Sequence, residues 1–254
     1  MKVHVIQLAY ADSEPLAERT ERVSGLVRAQ QGADLVVLPE LWPQGGFSYD
    51  RWEAEAQPLD GPVVESLRTA ARDLGAMVHM GSLVERDETG RLFNTSVLIG
   101  TAGEVLATYR KVHLFGFGDG EPKLMTAGDG PVVHGNLGLA TCYDLRFPEL
   151  FRRLLDDGAE LVLVVAAWPA KRVAHWRLLA QARAVENQSY VVACNTAGTH
   201  AGVPMGGGSL VVDPWGQFVA EADTDREQVL VADLDLDLVA QTRQSFPVLA
   251  DRRI

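Results

Sequence analysis

The chain has 254 residues, 47% of them hydrophobic, and carries 23 basic against 34 acidic side chains, for a formal charge of −11 and a pI near 5.0. That length can bury a sizeable core within one domain spanning 1–254. The acidic balance, with no Lys/Arg cluster or aromatic-interleaved basic stripe, excludes a nucleic-acid backbone surface, and no apolar run approaches the roughly 18 residues of a membrane span.

The N-terminal MKVHVIQLAY enters directly as a strand, without the pattern of a secretory leader, so a soluble cytoplasmic protein is expected. The first strand is predicted over 3–8, followed by a helix over 14–31, a strand over 35–38, a helix over 62–74 and a strand over 76–84. Segments 93–100 and 103–110 read as a hairpin turning through Gly100 and Gly103. A strand over 132–141, a helix over 148–157, a strand over 161–167 and a helix over 171–187 follow. The chain then runs through a strand over 189–197 and the glycine-dense loop 198–209, long enough to line a pocket or meet a second subunit. Strands over 207–212, 218–222 and 228–234 close it, the first two turning at DPWG. Many strands and four substantial helices point to two sheets faced by helices rather than a single nucleotide-binding sheet. Neither GxGxxG after a first strand nor GxxxxGK[ST] occurs.

Three polar residues stand at predicted strand ends, where sheet proteins present their chemistry. Glu40 follows LVVLP, Lys111 follows EVLATYR, and Cys142 follows LGLAT. Together they make a set for acyl transfer: a thiol attacks, a carboxylate moves the proton, and a fixed cation supports the oxyanion. Pro39 stiffens the turn that aims Glu40. Cys142 lies where strand gives way to helix, so backbone N–H groups and the helix end are expected to lower its pKa. The N–H of Tyr143, next along the turn, is the natural second oxyanion donor.

VVLPE, YRKVHLF and CYDLRFPELFR, in this order and spacing, resemble the carbon–nitrogen hydrolase (nitrilase) superfamily. The likeness continues through AAWPAKRVAHWRLLAQARAVENQSYVVACNTAG and GGSLVVDPWG and covers nearly the whole chain. The resemblance implies an α/β fold, a four-layer α-β-β-α sandwich, with Glu40, Lys111 and Cys142 as the catalytic glutamate, lysine and cysteine. It also implies a second glutamate near the lysine and substrate, matched by Glu121 in GEPKLMTAGD. Nitrilases proper of this superfamily typically place Trp-Glu after the nucleophile. Tyr143-Asp144 here looks like the small amidase branches, which include ω-amidases acting on 2-oxoglutaramate-like short amides and deaminated-glutathione amidases. N-carbamoyl amino acid hydrolases are a further alternative. The implied reaction passes through a cysteine thioester, uses an amide and water, and calls for neither metal nor organic cofactor. Family members commonly form homodimers through helices corresponding to 148–157 and 171–187.

A short substrate ending in a carboxylate needs a cation besides Lys111, and Arg172 or Lys171 could supply it. Trp168 and Phe117 are candidates for an apolar wall of the pocket, with core packing or dimer contact as the alternative for each, and Arg146 is expected as an anchor paired with Asp144 or Glu149. The six histidines form no HExxH motif and no close His/Cys pair, against a metallohydrolase. His113 is expected to brace the Lys111 loop, while Cys194, alternating with apolar residues in SYVVACN, reads as packing. A non-catalytic or redox-sensing thiol protein is the competing class, and it would need Cys194 beside Cys142.

Overall fold

Alternation along the strands decides the architecture. In the computed structural model, which describes residues 1–117 and 119–253, the strands are β1 (Lys2–Gln7), β2 (Leu35–Val37), β3 (Met77–Arg86), β4 (Leu92–Ile99), β5 (Val105–Arg110), β6 (Val132–His134), β7 (Leu137–Thr141), β8 (Leu161–Val165) and β9 (Tyr190–Cys194). The short β10 (Thr199–His200) and β11 (Val203–Pro204) precede β12 (Leu210–Val212), β13 (Phe218–Glu221) and β14 (Gln228–Asp233). One six-stranded sheet runs β14-β1-β2-β3-β4-β5 and the other β13-β12-β9-β8-β7-β6. In the first, Val3, Val5, Leu35 and Val37 point inward to meet Leu139, Leu163 and Val192 of the second in one core. Their sequence neighbours Ile6, Val36 and Leu38 point the other way, as a period of two requires.

Helices cover both outer faces. Val23 and Val27 of α1 (Leu16–Arg28) lie over the first sheet, and the short α2 (Tyr49–Glu55) lies against β3. Val64 and Leu67 of α3 (Pro62–Leu74) complete that layer. After the single-turn α4 (Glu121–Leu124), the second sheet is covered by α5 (Pro148–Asp156), through Phe151 and Leu154. Beside it lies α6 (Val173–Asn187), through Trp176, Ala180 and Ala184. The last helix is α7 (Asp237–Ser245). The result is the expected four-layer α-β-β-α sandwich. No described helix is long and apolar enough to cross a membrane.

Local corrections have local causes. The stretch 132–141 is a hairpin, not one strand, because Gly135 (φ 61°) and Asn136 turn the chain between β6 and β7. The helix expected from 171 opens with a 3₁₀ turn, Ala170–Arg172. The helices α2 and α7, seven and nine residues long, were not anticipated. The glycine-rich loop carries β10 and β11 and braces the Trp168 segment from behind: Gly206 N–H donates to the Trp168 carbonyl (2.8 Å), and Met205 bridges Pro169.

Candidate active site

The site gathers where β2, β5, β7 and β8 end. Glu40 leaves β2 through Pro39, and its turn is moulded by β3. A Cβ on Gly81 (φ 72°) would sit 1.8 Å from the Pro39 carbonyl oxygen, so only glycine admits this approach. The register shift between His79 and Ser82 lets Ser82 Oγ accept the Leu41 N–H at 3.0 Å. Trp42 Nε1 donates to the Met80 carbonyl at 2.8 Å, closing the turn.

Lys111 follows β5. Its N–H donates to the Asn94 carbonyl and its carbonyl accepts from Gly128, both at 2.9 Å. Glu121 opens α4, and its Oε2 accepts the Phe115 N–H at 2.6 Å. Lys111 Nζ donates to Glu40 Oε1 at 2.8 Å and reaches Glu121 Oε1 at 3.0 Å and Oε2 at 2.8 Å. All three side chains are buried, with Lys111 only 1% exposed. Asn94, a buried residue of β4, donates through Nδ2 to Glu40 Oε1 (2.8 Å) and to Glu121 Oε1 (2.7 Å). The Ala167 N–H, just past β8, donates to Glu40 Oε2 at 2.8 Å.

Cys142 follows β7 at φ 48°, a left-handed conformation costly for a non-glycine residue and found where a side chain is aimed out of a sheet. It opens the 3₁₀ turn Cys142–Arg146, so the Tyr143 N–H beside it belongs to the first turn, whose donors have no partner within the turn. Asp144 ties this turn to the lysine segment. Its buried carboxylate accepts from Thr141 N–H (2.9 Å), Tyr109 Oη (2.7 Å) and His113 N–H (3.0 Å), and contacts His113 Nδ1 at 2.8 Å. The His113 ring stacks on Phe147 at 3.8 Å, so His113 braces the loop as expected.

Electrostatics differ from expectation at the thiol. Burial, with the Glu40 carboxylate adding to it, pushes the Cys142 thiol well above its ordinary range, and Lys111 only partly opposes this. A five-residue 3₁₀ turn supplies too little dipole to overcome the desolvation. Burial alone would depress the Lys111 ammonium, but Glu121 and Glu40 outweigh it and hold its pKa well above the usual value. Glu121 is raised by burial against the pull of Lys111, with Glu40 adding repulsion.

In front of the thiol lies a small recess lined by Phe47, Phe115, Cys142, Tyr143, Arg146, Ala167, Trp168, Pro169 and Arg172. Arg172 lies 5.3 Å from the Phe115 ring centre and Arg146 4.8 Å from that of Trp168. Among the described residues neither guanidinium is ion-paired. Arg146 therefore does not anchor on Asp144, whose oxygens are taken, or on Glu149; its Nη2 contacts His175 Nδ1 at 3.3 Å. Lys171 does not line the recess. Phe117 does not form its wall either: at 86% exposed it stands outside, edge-on to Phe115 and Tyr143, and Phe47 and Phe115 take that role. Asn94, Ala167, Phe47 and Phe115 were not singled out from the sequence, and Arg146 was given a different role; the polar run Asn94-Thr95-Ser96 inside β4 was the available signal for the first.

Cys194 packs as expected, its Sγ contacting the Ile6 and Val37 carbonyls. Val165 stands in register between Thr141 and Cys194, so a bridge to Cys142 would have to cross β8.

Fold and site together define a class: an α-β-β-α hydrolase with a cysteine, a lysine and two glutamates gathered at its strand ends. The carbon-nitrogen hydrolase family model matches residues 2–244, and the chain belongs to that family. It is 45% identical to the 2-oxoglutaramate amidase of Paenarthrobacter nicotinovorans, over 100% of this chain and 90% of the relative. It is 37% identical to the 2-oxoglutaramate amidase of Bacillus subtilis, over 87% of this chain and 85% of the relative. Among solved structures, Saccharomyces cerevisiae Nit3, a member of branch 10 of the nitrilase superfamily, superposes with a TM-score of 0.89 at 31% identity, covering 100% and 97% of the two chains.

Proposed function

We propose that this chain is a thiol amidase hydrolysing the ω-amide of a short 2-oxo dicarboxylic acid, of the 2-oxoglutaramate type, to the acid and ammonia. The observation that carries this reading is the pairing of Cys142 with two guanidiniums that lack carboxylate partners among the described residues, Arg146 and Arg172, in one recess. An amide carbon at the thiol leaves a distal carboxylate to meet a cation, and a guanidinium offers it two parallel donors. The recess in front of the thiol is small, which favours a short substrate. The names of the two bacterial relatives support the same substrate class.

Cys142 Sγ attacks the amide carbon as its proton passes to Glu40. Burial and the Glu40 carboxylate push the thiol above its ordinary range, so the attack needs a base beside it to take the proton. The oxyanion is met by Lys111 Nζ and the Tyr143 N–H. Collapse breaks the C–N bond, Glu40 returns its proton to the departing nitrogen, and ammonia leaves a thioester on Cys142. Glu40 then takes a proton from water, which attacks the thioester carbon; expulsion of the thiolate, reprotonated by Glu40, frees the acid. Glu121 holds Lys111 and the substrate amide in place, and Trp168 forms part of the substrate wall.

Both cysteines are free, and thioester chemistry needs a reduced thiol, which supports a cytoplasmic setting. Exposed Leu178 and Val185 on α6, with Trp215 and Phe246 nearby, support a homodimer formed through this face, which light scattering would detect as twice the chain mass. Ammonia release tests the substrate across 2-oxoglutaramate, 2-oxosuccinamate, deaminated glutathione, an N-carbamoyl amino acid, butyramide and a simple nitrile. The highest kcat/KM is expected for 2-oxoglutaramate; a preference for butyramide or a nitrile would contradict the assignment.

A further inference from the structure

Asn94 occupies an unusual position in the charge cluster. Its side-chain NH₂ has two hydrogens, and each meets a different carboxylate, Glu40 Oε1 at 2.8 Å and Glu121 Oε1 at 2.7 Å. Its own Oδ1 is buried without a partner among the described residues. Turning the amide over would set that oxygen against two carboxylate oxygens, so the observed orientation is fixed. The backbone of the same residue also holds the lysine, through the Lys111 N–H to the Asn94 carbonyl at 2.9 Å.

The donors on Glu40 divide unequally. Oε1 accepts two, from Lys111 Nζ and Asn94 Nδ2, each at 2.8 Å, while Oε2 accepts one, from the Ala167 N–H at 2.8 Å. A carboxylate oxygen has two in-plane lone pairs, so Oε1 is filled and Oε2 keeps one open. We propose that Asn94 is a positioning residue that keeps Glu40 Oε1 occupied and thereby assigns the shuttled proton to Oε2, while holding Glu121 alongside. The assignment rests on the reading of Glu40 as the proton carrier. As Sγ–C bond formation begins, the S–H bond breaks and its proton joins Oε2. The same oxygen gives the proton to the leaving nitrogen, with Lys111 and Asn94 still bonded to Oε1.

A neutral donor does here what a second cation could not. Lys111 already offsets one of the two carboxylates. The other charged or titratable groups facing Glu40 are Glu121, the Cys142 thiol and the phenols of Tyr10 and Tyr49. A further positive charge would oppose protonation of Glu40 in each cycle, whereas an amide orients the carboxylate with less bias against taking the proton.

The experiment compares pH profiles of kcat/KM for 2-oxoglutaramate in the wild type, Asn94→Ala and the near-isosteric Asn94→Asp, with folding checked by circular dichroism. Loss of a bond to the charged carboxylate raises the pH at which it gains a proton, so the acid limb should move up by about one unit. The plateau should fall about 10- to 100-fold, mainly in kcat. A fall in rate with the limb unmoved in both variants would reduce Asn94 to packing and overturn the proposal. Should the variants not fold, the wild type still decides. In asparagine-¹⁵N-labelled protein both Asn94 side-chain amide protons should be shifted downfield, slow to exchange and move in pH with the kinetic limb. Ordinary, rapidly exchanging signals would overturn it. Glu40→Gln separates the two levels: full turnover there would remove Glu40 as proton carrier whatever the Asn94 variants do.

Discussion

Two adjoining hollows that share Phe47, Phe115, Cys142 and Ala167, a floor lined by Glu40, Lys111 and Glu121 and a wall lined by Arg146 and Arg172, are built on opposite principles. On the floor, Glu40, Lys111 and Glu121 are buried and every charge is answered, by each other, by Asn94 and by backbone N–H groups of Ala167 and Phe115. On the wall, Arg146 and Arg172 rest on aromatic faces and have no carboxylate partner among the described residues. Burying ions costs several kcal/mol each unless pairing offsets it, so the floor must be complete before substrate arrives. The half-exposed guanidiniums remain hydrated and can wait for an anion. The floor is therefore suited to a step common to many amides, and the wall to selecting among them.

Breaking the floor should have the largest effect. Lys111→Leu leaves two buried carboxylates without their counter-ion, so activity should vanish and stability fall by about 3–5 kcal/mol, measured by urea unfolding. A variant that loses activity without losing stability would show that the cluster does not depend on its cation. Cys142→Ala should abolish turnover by 10⁴-fold or more, an order-of-magnitude figure for a lost nucleophile, with stability little changed because only a small side chain is cut back.

Breaking the wall should be selective. Arg172→Ala and Arg146→Ala are each expected to raise KM for 2-oxoglutaramate by about 10- to 100-fold, the worth of a charge-assisted pair, and to leave butyramide nearly unaffected. Equal effects on both substrates would take the carboxylate role away from that arginine. Phe117→Ala, outside the recess, should alter either KM less than about threefold.

Acidity separates folding from the wall altogether. Burial pushes His79 and His200 down to about 4 from an ordinary 6.5. Between those values the unfolded chain binds protons that the folded chain refuses, so stability is full above pH 6.5 and falls as pH drops toward 4. The loss should be on the order of 2–3 kcal/mol per histidine. His200→Gln should flatten this slope by about half, as urea midpoints against pH would reveal; an unchanged slope would assign the acid sensitivity elsewhere. In the opposite direction, the Cys142 thiol and the Tyr10 and Tyr109 phenols are all pushed up by burial. Their stabilising contribution is present below their unfolded values and is lost as pH rises through the alkaline range.

What could be read from the sequence follows the same division. Glu40, Lys111 and Cys142 stand at the ends of apolar strands, where alternation and turn residues mark the spot without a structure. Asn94 is one of three polar letters in FNTSVLI, and its partners lie 54 and 27 residues away, so nothing local singled it out or announced them. Arg146 was expected to seek Asp144 or Glu149, but it pairs with neither, and Asp144 is taken by Tyr109, Thr141 and His113, contacts decided by tertiary packing. The hairpin at Gly135 and Asn136 hid inside a continuous run because both flanking segments carry strand residues. At Cys142, position along the chain pointed to a depressed pKa, and burial reversed the sign. Desolvation depends on what surrounds a group in space, which the order of residues does not state.

The most direct measurement is mass spectrometry of protein mixed with 2-oxoglutaramate and quenched in acid within a turnover. A covalent acyl group on the peptide bearing Cys142, formed as ammonia is released and lost as the acid appears, is the expected result. Ammonia release at the normal rate with Cys142 unmodified throughout, or steady turnover by Cys142→Ala, would contradict the account.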